Sequence, residues 1–301
     1  MTNRLGRRLA LLALPALAGC TSPLPPLDES GTDPEAEALL ARSAAAHGLP
    51  ALEAIRDLSV SYAGEWPGLI DRLQPALVDK GFRGSSEERL LLHEGLVAQH
   101  HTGLAGAKQV VRSAQALGQG AVRVWFNGAE ARDAERRAAA ALVVDGYSLF
   151  LLGPMHLARL RAGGRPMRLA LAGSERLVIE GRAHECDILR AHIAPGLGFS
   201  EAEEVALFID RAEGLMRRVR FSLNGLDSTR GAIAEVEGTG HLERHGIRWP
   251  TRFHERLLRP LPLPVHDWRL TGLDVNRGLR AEEVSGPAFL DRAARPASSL
   301  A

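Results

Sequence analysis

Apolar and polar residues alternate with a period of two over much of the second half of the chain. In the run from Met216 to Leu223, Val219 and Phe221 fall on one face, whereas Arg218 and Arg220 fall on the other. This period is typical of a β-strand with one buried and one solvated face. Such runs recur at short intervals between turn-forming residues. We therefore predict an antiparallel meander, one face of which is covered.

The pattern predicts a strand in each of several short segments. In the second half these are 169–171 and 177–179, which flank a turn at 172–174, then 185–193, 205–209, 216–223, 233–236, 247–253 and 268–275. In the first half they are 58–62, several short runs between 81 and 112, and 122–126, which ends at the turn dipeptide Asn127-Gly128.

Two regions have a helical pattern instead. Asp33-Pro34-Glu35 begins a helix with a capping side chain, a proline in the first turn and an acid at the positive end, and a shorter helix is predicted at 51–56. Residues 130–160 begin with good helix formers and become strongly apolar from Ala138 to Leu152. That apolar stretch is too short to span a bilayer and contains Asp145, so we interpret it as a buried helix. Gly153-Pro154 is expected to end or kink it.

The N-terminus has the organisation of an export signal. Three arginines precede an apolar run that ends in Leu17-Ala18-Gly19-Cys20. The last four residues resemble the lipobox of bacterial lipoproteins, which implies cleavage before Cys20 and acylation of that cysteine. We therefore predict a signal peptide at 1–19, a lipidated tether at 20–32, a single domain at 33–292 and a disordered tail at 293–301.

Composition limits the classes of partner. The 301 residues carry a net charge of +1, and removal of the signal with its three arginines and no acid leaves −2. Basic residues alternate with acids and form no dense stripe, which argues against nucleic-acid binding. Cys186 is the only cysteine besides Cys20, so no internal disulfide is expected if Cys20 is acylated, and Cys186 is expected to pack as a small apolar residue.

Candidate catalytic and metal-binding residues form no recognisable motif. His100 and His101 are adjacent on a predicted strand and point to opposite faces, while His184 and Cys186 share a face but lack further ligands. Nucleophile-elbow, phosphate-loop and zinc-protease motifs do not occur in the sequence. We expect no metal, no cofactor and no catalysis, with an envelope hydrolase as the weakest alternative.

The order of elements indicates a family. The segments VALFIDRAEGLMRRVRFSL (205–223), GIRWPTRF (246–253) and WRLTGLDVN (268–276) resemble the outer-membrane lipoprotein-sorting (LolA/LolB-like) superfamily. The resemblance implies an α+β fold in which a strongly curved antiparallel sheet forms a half-open barrel. Helices are expected to cover its concave face and an apolar cavity that holds acyl chains. No residue matches the cavity arginine of the family or the protruding loop of its receptor, and the insert at 130–160 is longer than expected.

These observations lead to a functional hypothesis. We expect a monomeric envelope protein that binds or transfers a lipid or a lipoprotein acyl chain. The resemblance to bacterial lipoproteins implies that it is anchored in the outer membrane and faces the periplasm, because in the enteric members Asp after the acylated cysteine retains the protein at the inner membrane and here Thr21 follows Cys20. A structural or partner-binding lipoprotein without a ligand is the main alternative. Aromatic residues are either packed in the sheet core or line the cavity, and the candidate lining residues are Phe150, Phe208, Phe221, Trp249 and Trp268.

Overall fold

The computed structural model describes residues 23, 24, 27, 31–113 and 121–300; the predicted signal peptide and Cys20 lie outside them. The helices are α1 (Pro34–His47), α2 (Leu49–Glu53), α3 (Gly68–Leu73), α4 (Pro75–Val78), α5 (Ala134–Leu152), α6 (Pro154–Ala162) and α7 (Ala281–Val284). The strands of the first half are β1 (Asp57–Glu65), β2 (Ser85–Leu91), β3 (Leu96–Gly103), β4 (Gly106–Ser113), β5 (Val122–Phe126) and β6 (Ala129–Glu130). Those of the second half are β7 (Met167–Ile179), β8 (Arg182–Ile193), β9 (Glu203–Asp210), β10 (Met216–Ser222), β11 (Ile233–Thr239), β12 (Leu242–Arg244), β13 (Ile247–Trp249), β14 (Arg252–Arg259) and β15 (Leu263–Val275).

Thirteen strands form one antiparallel sheet. Their order is β6-β5-β4-β3-β2-β1-β15-β14-β11-β10-β9-β8-β7, and β12 and β13 form a separate hairpin. Pairing of β1 with β15 joins the meander of the first half to that of the second. The sheet is not closed, because its two edges, β6 and β7, are not paired with each other in the described chain. The predicted α+β fold, a half-open barrel with helices on its concave face, is confirmed.

Helices α5 and α6 connect the two edges of the sheet. Because β6 and β7 are consecutive strands that lie at opposite edges, this connection has to cross the sheet, and it does so over the concave face. The carboxylate of Asp133 caps α5 by accepting the backbone N–H of Arg136 at 2.8 Å. At Gly153, which has a φ of +50°, the chain turns by 110° into α6. The predicted buried helix and its kink are thus confirmed.

The main core lies between these helices and the concave face. It includes Leu189, Leu207, Val219 and Val236 from adjacent strands of the second half. Residues one position along each strand point to the other face, where arginines and glutamates pair across strands; Arg220 Nε, for example, donates to Glu235 Oε2 at 2.8 Å. The two-residue period therefore separates core and solvent as the sequence indicated.

The C-terminal segment covers the other face of the first-half strands. Leu279, Val284, Phe289 and Ala293 form a second core cluster with residues of β2 to β5. Residues up to Leu300 continue along β15, where the N–H of Leu273 donates to the carbonyl of Ser298 at 2.9 Å. A disordered tail was predicted at 293–301, whereas within the described residues 293–300 the chain pairs with the sheet through backbone hydrogen bonds that the composition of the segment does not reveal.

Two local predictions need correction, and two short helices were missed. The turn expected at 172–174 is an irregularity within the continuous strand β7, whose connection to β8 lies at Glu180-Gly181. The single strand expected at 247–253 is divided by Pro250 into β13 and the start of β14. Helices α3 and α4 were not predicted, since each is too short to have a clear period and Pro75 separates them.

Within the described residues, no single helix is long and apolar enough to cross a membrane. The pair α5–α6 meets those criteria of length and composition only when its two bent halves are taken together.

Candidate functional site

A cavity of about 250 Å³, called here the main cavity, lies between α3, α4, α5 and the concave face of the sheet. Its walls are mostly aliphatic and aromatic. The short helices contribute Ile70, Leu73, Leu77 and Val78; α5 contributes Leu142, Val143, Gly146, Tyr147 and Phe150; and the sheet contributes Phe221, Ala234, Glu255, Leu257 and Val265. Concave apolar cavities with a few placed polar groups are the usual form of a small-molecule site.

The spacing of residues along α5 and β14 explains which side chains face the cavity. Val143, Tyr147 and Phe150 are separated by four and three residues, so they share one face of α5. Phe253, Glu255 and Leu257 share the concave face of β14 because they are spaced by two. Leu73 lines the cavity and is also 52% exposed, which places an opening to the surface beside α3.

One end of the main cavity is polar and centred on Arg83, which is 5% exposed. Its guanidinium donates through Nη1 to the carbonyl of Leu77 at 3.1 Å and through Nη2 to the hydroxyl of Tyr147 at 3.0 Å. It also lies 4.4 Å from the centre of the Trp66 ring. The Tyr147 hydroxyl is 3.1 Å from Nδ1 of His266, whose ring stacks on Trp66. The cation is therefore held by a carbonyl, a hydroxyl and an aromatic face.

His266 is neutral at this position. Burial, followed by the charge of Arg83, lowers the pKa of its imidazole well below the ordinary value. Burial also raises the pKa of the Tyr147 phenol, which keeps it protonated. Because the guanidinium only donates, the phenol O–H is left to donate to His266 Nδ1. The polar end is a chain of hydrogen bonds in which Arg83 donates to Tyr147 and Tyr147 donates to His266.

Glu255 is the acidic group of the main cavity. Its carboxyl makes no hydrogen bond and no ion pair with the described chain. Burial raises its pKa to about 7, and the charge of Arg83 opposes this shift only partly. Below about pH 7 this carboxyl is therefore neutral, and the mostly apolar walls of the cavity favour an apolar occupant.

The structure brings together two of the five predicted lining residues. Phe150 and Phe221 both line the main cavity, with their ring centres 5.1 Å apart. Trp268 stacks on Phe253 at 4.9 Å and packs beside Phe150 without reaching the cavity.

The other two lie elsewhere. Phe208 is on the opposite face of the sheet, in a cluster with Cys186, because it is one residue out of phase with the core positions Leu207 and Ile209. Trp249 is fully buried in the core, where its indole N–H donates to the carbonyl of Arg244 at 2.9 Å. The aromatic character of these residues alone did not reveal which face of the sheet each one occupies.

Several lining residues were missed in the sequence. Ile70, Leu73 and Leu77 have helical spacing, but the proline between them hides the pattern. Glu255 follows Phe253 by two residues, and this alternation was the signal that would have placed it on the concave face. Arg83 and Tyr147 have no local signal, since their pairing depends on how α5 crosses the sheet.

The candidate metal and catalytic residues are engaged in local contacts. His184 Nδ1 lies 2.7 Å from Asp210, which also accepts from Arg217. His101 contacts Gln99, whereas His100 points the other way toward Phe289. In the described part of the chain, no three histidine, cysteine or acidic side chains are grouped to hold a metal ion.

Comparison with known proteins identifies related solved structures. No protein-family profile and no curated protein sequence matches the chain significantly. A LolA superfamily protein from Nitrosomonas europaea is 12% identical, with a TM-score of 0.46 over 83% of this chain and 96% of that one. A DUF1329 family protein from Desulfovibrio piger is 11% identical, with a TM-score of 0.46 and the same coverage. Lipoprotein LppX from Mycobacterium tuberculosis is 16% identical, with a TM-score of 0.26 over 63% of this chain and 90% of that one. The solved structures that are similar to this chain thus include a member of the LolA superfamily, at low sequence identity and with a TM-score below 0.5.

Proposed function

We propose that this chain is a lipid-anchored envelope protein that binds or transfers an apolar ligand, either a lipid or a lipoprotein acyl chain, without catalysis. The main cavity is the observation that carries this proposal. A well-packed sheet and helix layer leaves few voids larger than a water molecule, so an apolar space of about 250 Å³ needs an occupant or a function. The lipobox at Cys20 supports the anchor, and Thr21 supports an outer-membrane location facing the periplasm.

The mouth of the cavity supports entry of an apolar chain. Leu69 and Leu73 on α3 are each about half exposed, and Leu261, next to the lining residue Pro260, is 58% exposed. Exposed leucines around the opening of an apolar cavity are typical of a site where a ligand enters from another apolar environment. At the far end, the Arg83–Tyr147 pair and Glu255 leave donors and acceptors for an uncharged ester or amide.

Native mass spectrometry followed by solvent extraction tests this proposal. The lipid-free chain from Thr21 to Ala301 retains every described residue, and it is exported in its own host behind a cleavable signal peptide that has no lipobox, then purified. We expect an extractable uncharged lipid in the wild type. In Val143→Phe, which fills the main cavity, the lipid is lost.

Val97→Phe is the matched control, because Val97 is another partly buried valine that lines a different cavity. Retention of the uncharged lipid in this variant together with its loss in Val143→Phe supports the main cavity as the site. A wild-type chain that carries no lipid and takes up no fluorescent alkyl probe contradicts the proposal and favours the partner-binding alternative.

A further inference from the structure

A second cavity of about 390 Å³ lies on the side of α5 opposite the main cavity. Asp145, Ser148 and Leu152 face it, and their spacing of three and four places them on one face of α5. That face is turned by about half a circle from the one that carries Val143 and Tyr147. The remaining walls come from the ends of β2 and β3 and from α6.

Half of this wall is apolar. Leu90, Leu92 and Val97 contribute from the sheet, and Leu152 and Leu160 contribute from the helices. An alkyl chain that packs against these side chains is removed from water, which contributes about 0.8 kcal/mol for each buried methylene group.

The other half carries more positive than negative charge. Arg112 is paired with Asp145 through two hydrogen bonds of 3.1 and 2.9 Å, and the same carboxylate accepts the N–H of Gly198 at 2.8 Å. Arg159 and Arg165 have no such partner. Within the described chain neither has a carboxylate inside the ion-pair distance of 4.0 Å.

These two arginines are positioned by backbone carbonyls only. Arg159 Nη2 donates to the carbonyl of Leu92 at 2.8 Å, and Arg165 Nη1 donates to the carbonyl of Pro195 at 3.1 Å. Burial lowers the pKa of both guanidinium groups, and the more distant charges of Glu53 and Asp145 offset this only in part. His156 also lines this cavity, and its imidazole makes no hydrogen bond with the described chain; burial lowers its pKa to about 4, so it adds no charge at neutral pH.

Partly buried cations beside an apolar wall are costly unless an anion pairs with them. Guanidinium groups are also the side chains best suited to carboxylate and phosphate oxygens. We propose that the second cavity binds an anionic amphiphile, with its carboxylate or phosphate on Arg159 and Arg165 and its alkyl chain on the leucine wall. This site is independent of the main cavity, which lies on the opposite side of α5.

Titration with dodecanoate and with 1-dodecanol tests the proposal on the lipid-free chain from Thr21 to Ala301. Arg159→Gln and Arg165→Gln each remove one charge, and we expect each to weaken dodecanoate binding about tenfold, as loss of one charged hydrogen bond predicts. Binding of 1-dodecanol is expected to change less than twofold. Arg182→Gln, at an exposed arginine that begins β8, is the control for the loss of one positive charge.

Two further arms locate the ligand and identify its class. Val97→Phe is expected to abolish dodecanoate binding, whereas Val143→Phe is expected to leave it unchanged. The opposite result assigns the anion to the main cavity and overturns the proposal, without affecting the test of that cavity with uncharged lipid. Inorganic phosphate and acetate are expected not to compete with dodecanoate. Competition by either at equal concentration overturns the amphiphile and leaves a simple anion site. A cooperative thermal unfolding transition confirms that each variant is folded. Unchanged dodecanoate affinity in both folded arginine variants also overturns the proposal.

Discussion

Arg83 and Tyr147 are joined by a hydrogen bond of 3.0 Å between the guanidinium Nη2 and the phenol oxygen. Arg83 belongs to the connection between α4 and β2, Tyr147 to α5, and the next member of the chain, His266, to β15. A single buried hydroxyl therefore links three elements around the polar end of the main cavity. Since Tyr147 also faces the cavity, the same bond fixes the position of α5 over the sheet.

Tyr147→Phe is expected to lower the free energy of unfolding by about 1–3 kcal/mol, because it leaves a buried guanidinium N–H and an imidazole nitrogen without partners. Tyr62→Phe is the matched control. Tyr62 is also buried and lies against Tyr147, with ring centres 5.6 Å apart, but its hydroxyl makes no hydrogen bond with the described chain. Urea unfolding of both variants measures the difference. Equal costs for the two substitutions would show that the Arg83–Tyr147 bond contributes nothing beyond ring packing.

Glu255 predicts a specific dependence of stability on pH. Its pKa is about 7 in the folded chain, compared with an ordinary value of 4.5. The folded state therefore binds this proton more tightly than the unfolded state does. The resulting contribution to the free energy of unfolding is complete below pH 4.5 and is lost as the pH rises to about 7. Glu255→Gln removes this loss because the amide does not ionise. Between about pH 5 and pH 8, we expect the free energy of unfolding of the variant to rise by about 1–3 kcal/mol relative to that of the wild type.

Unfolding in urea at both pH values measures that gain. Glu243→Gln, at a position that is 71% exposed, controls for the change in net charge. If Glu255→Gln and wild type differ by the same amount at both pH values, then the carboxyl is solvated and does not shape the cavity.

The sequence reveals those parts of the structure that are determined by residues close together in the chain. The alternation around Val219 and Phe221 and the apolar stretch of α5 are determined by neighbours in sequence, and both were predicted. The short helices α3 and α4 were missed because neither completes enough turns to have a period. The polar end of the main cavity was missed for a different reason: Arg83, Tyr147 and His266 come together only through the course of α5 between the two sheet edges.

The C-terminal segment is expected to stabilise the domain. Arg89 is fully buried, and its guanidinium donates to the carbonyls of Ala293 at 3.0 Å and Arg295 at 2.8 Å. Deletion of residues 293–301 removes both acceptors. We expect it to lower the free energy of unfolding by about 2–4 kcal/mol, because the donors left without partners belong to a charged guanidinium. Deletion of 297–301 keeps both acceptors and is expected to have a smaller effect. Similar urea midpoints for the two deletions would contradict the role of Arg89.

Cys186 is expected to be unreactive in the folded chain. It is fully buried, and burial raises the pKa of its thiol to about 11. The lipid-free chain from Thr21 contains no other cysteine, so a thiol-specific dye reports on this residue alone. We expect no labelling at neutral pH in buffer and complete labelling in denaturant. Rapid labelling of the folded chain would show that the sheet opens around β8.

The position of a bound ligand is measured by anomalous diffraction from crystals of the lipid-free chain grown with 1-bromooctane. Val143→Phe crystals serve as the control. We predict a bromine peak in the main cavity of the wild type, within about 4 Å of Phe150, Phe221 or Leu257, and no peak there in the variant. An empty main cavity in wild-type crystals, or a bromine peak that persists in the variant, would contradict the proposal that this cavity binds apolar ligands.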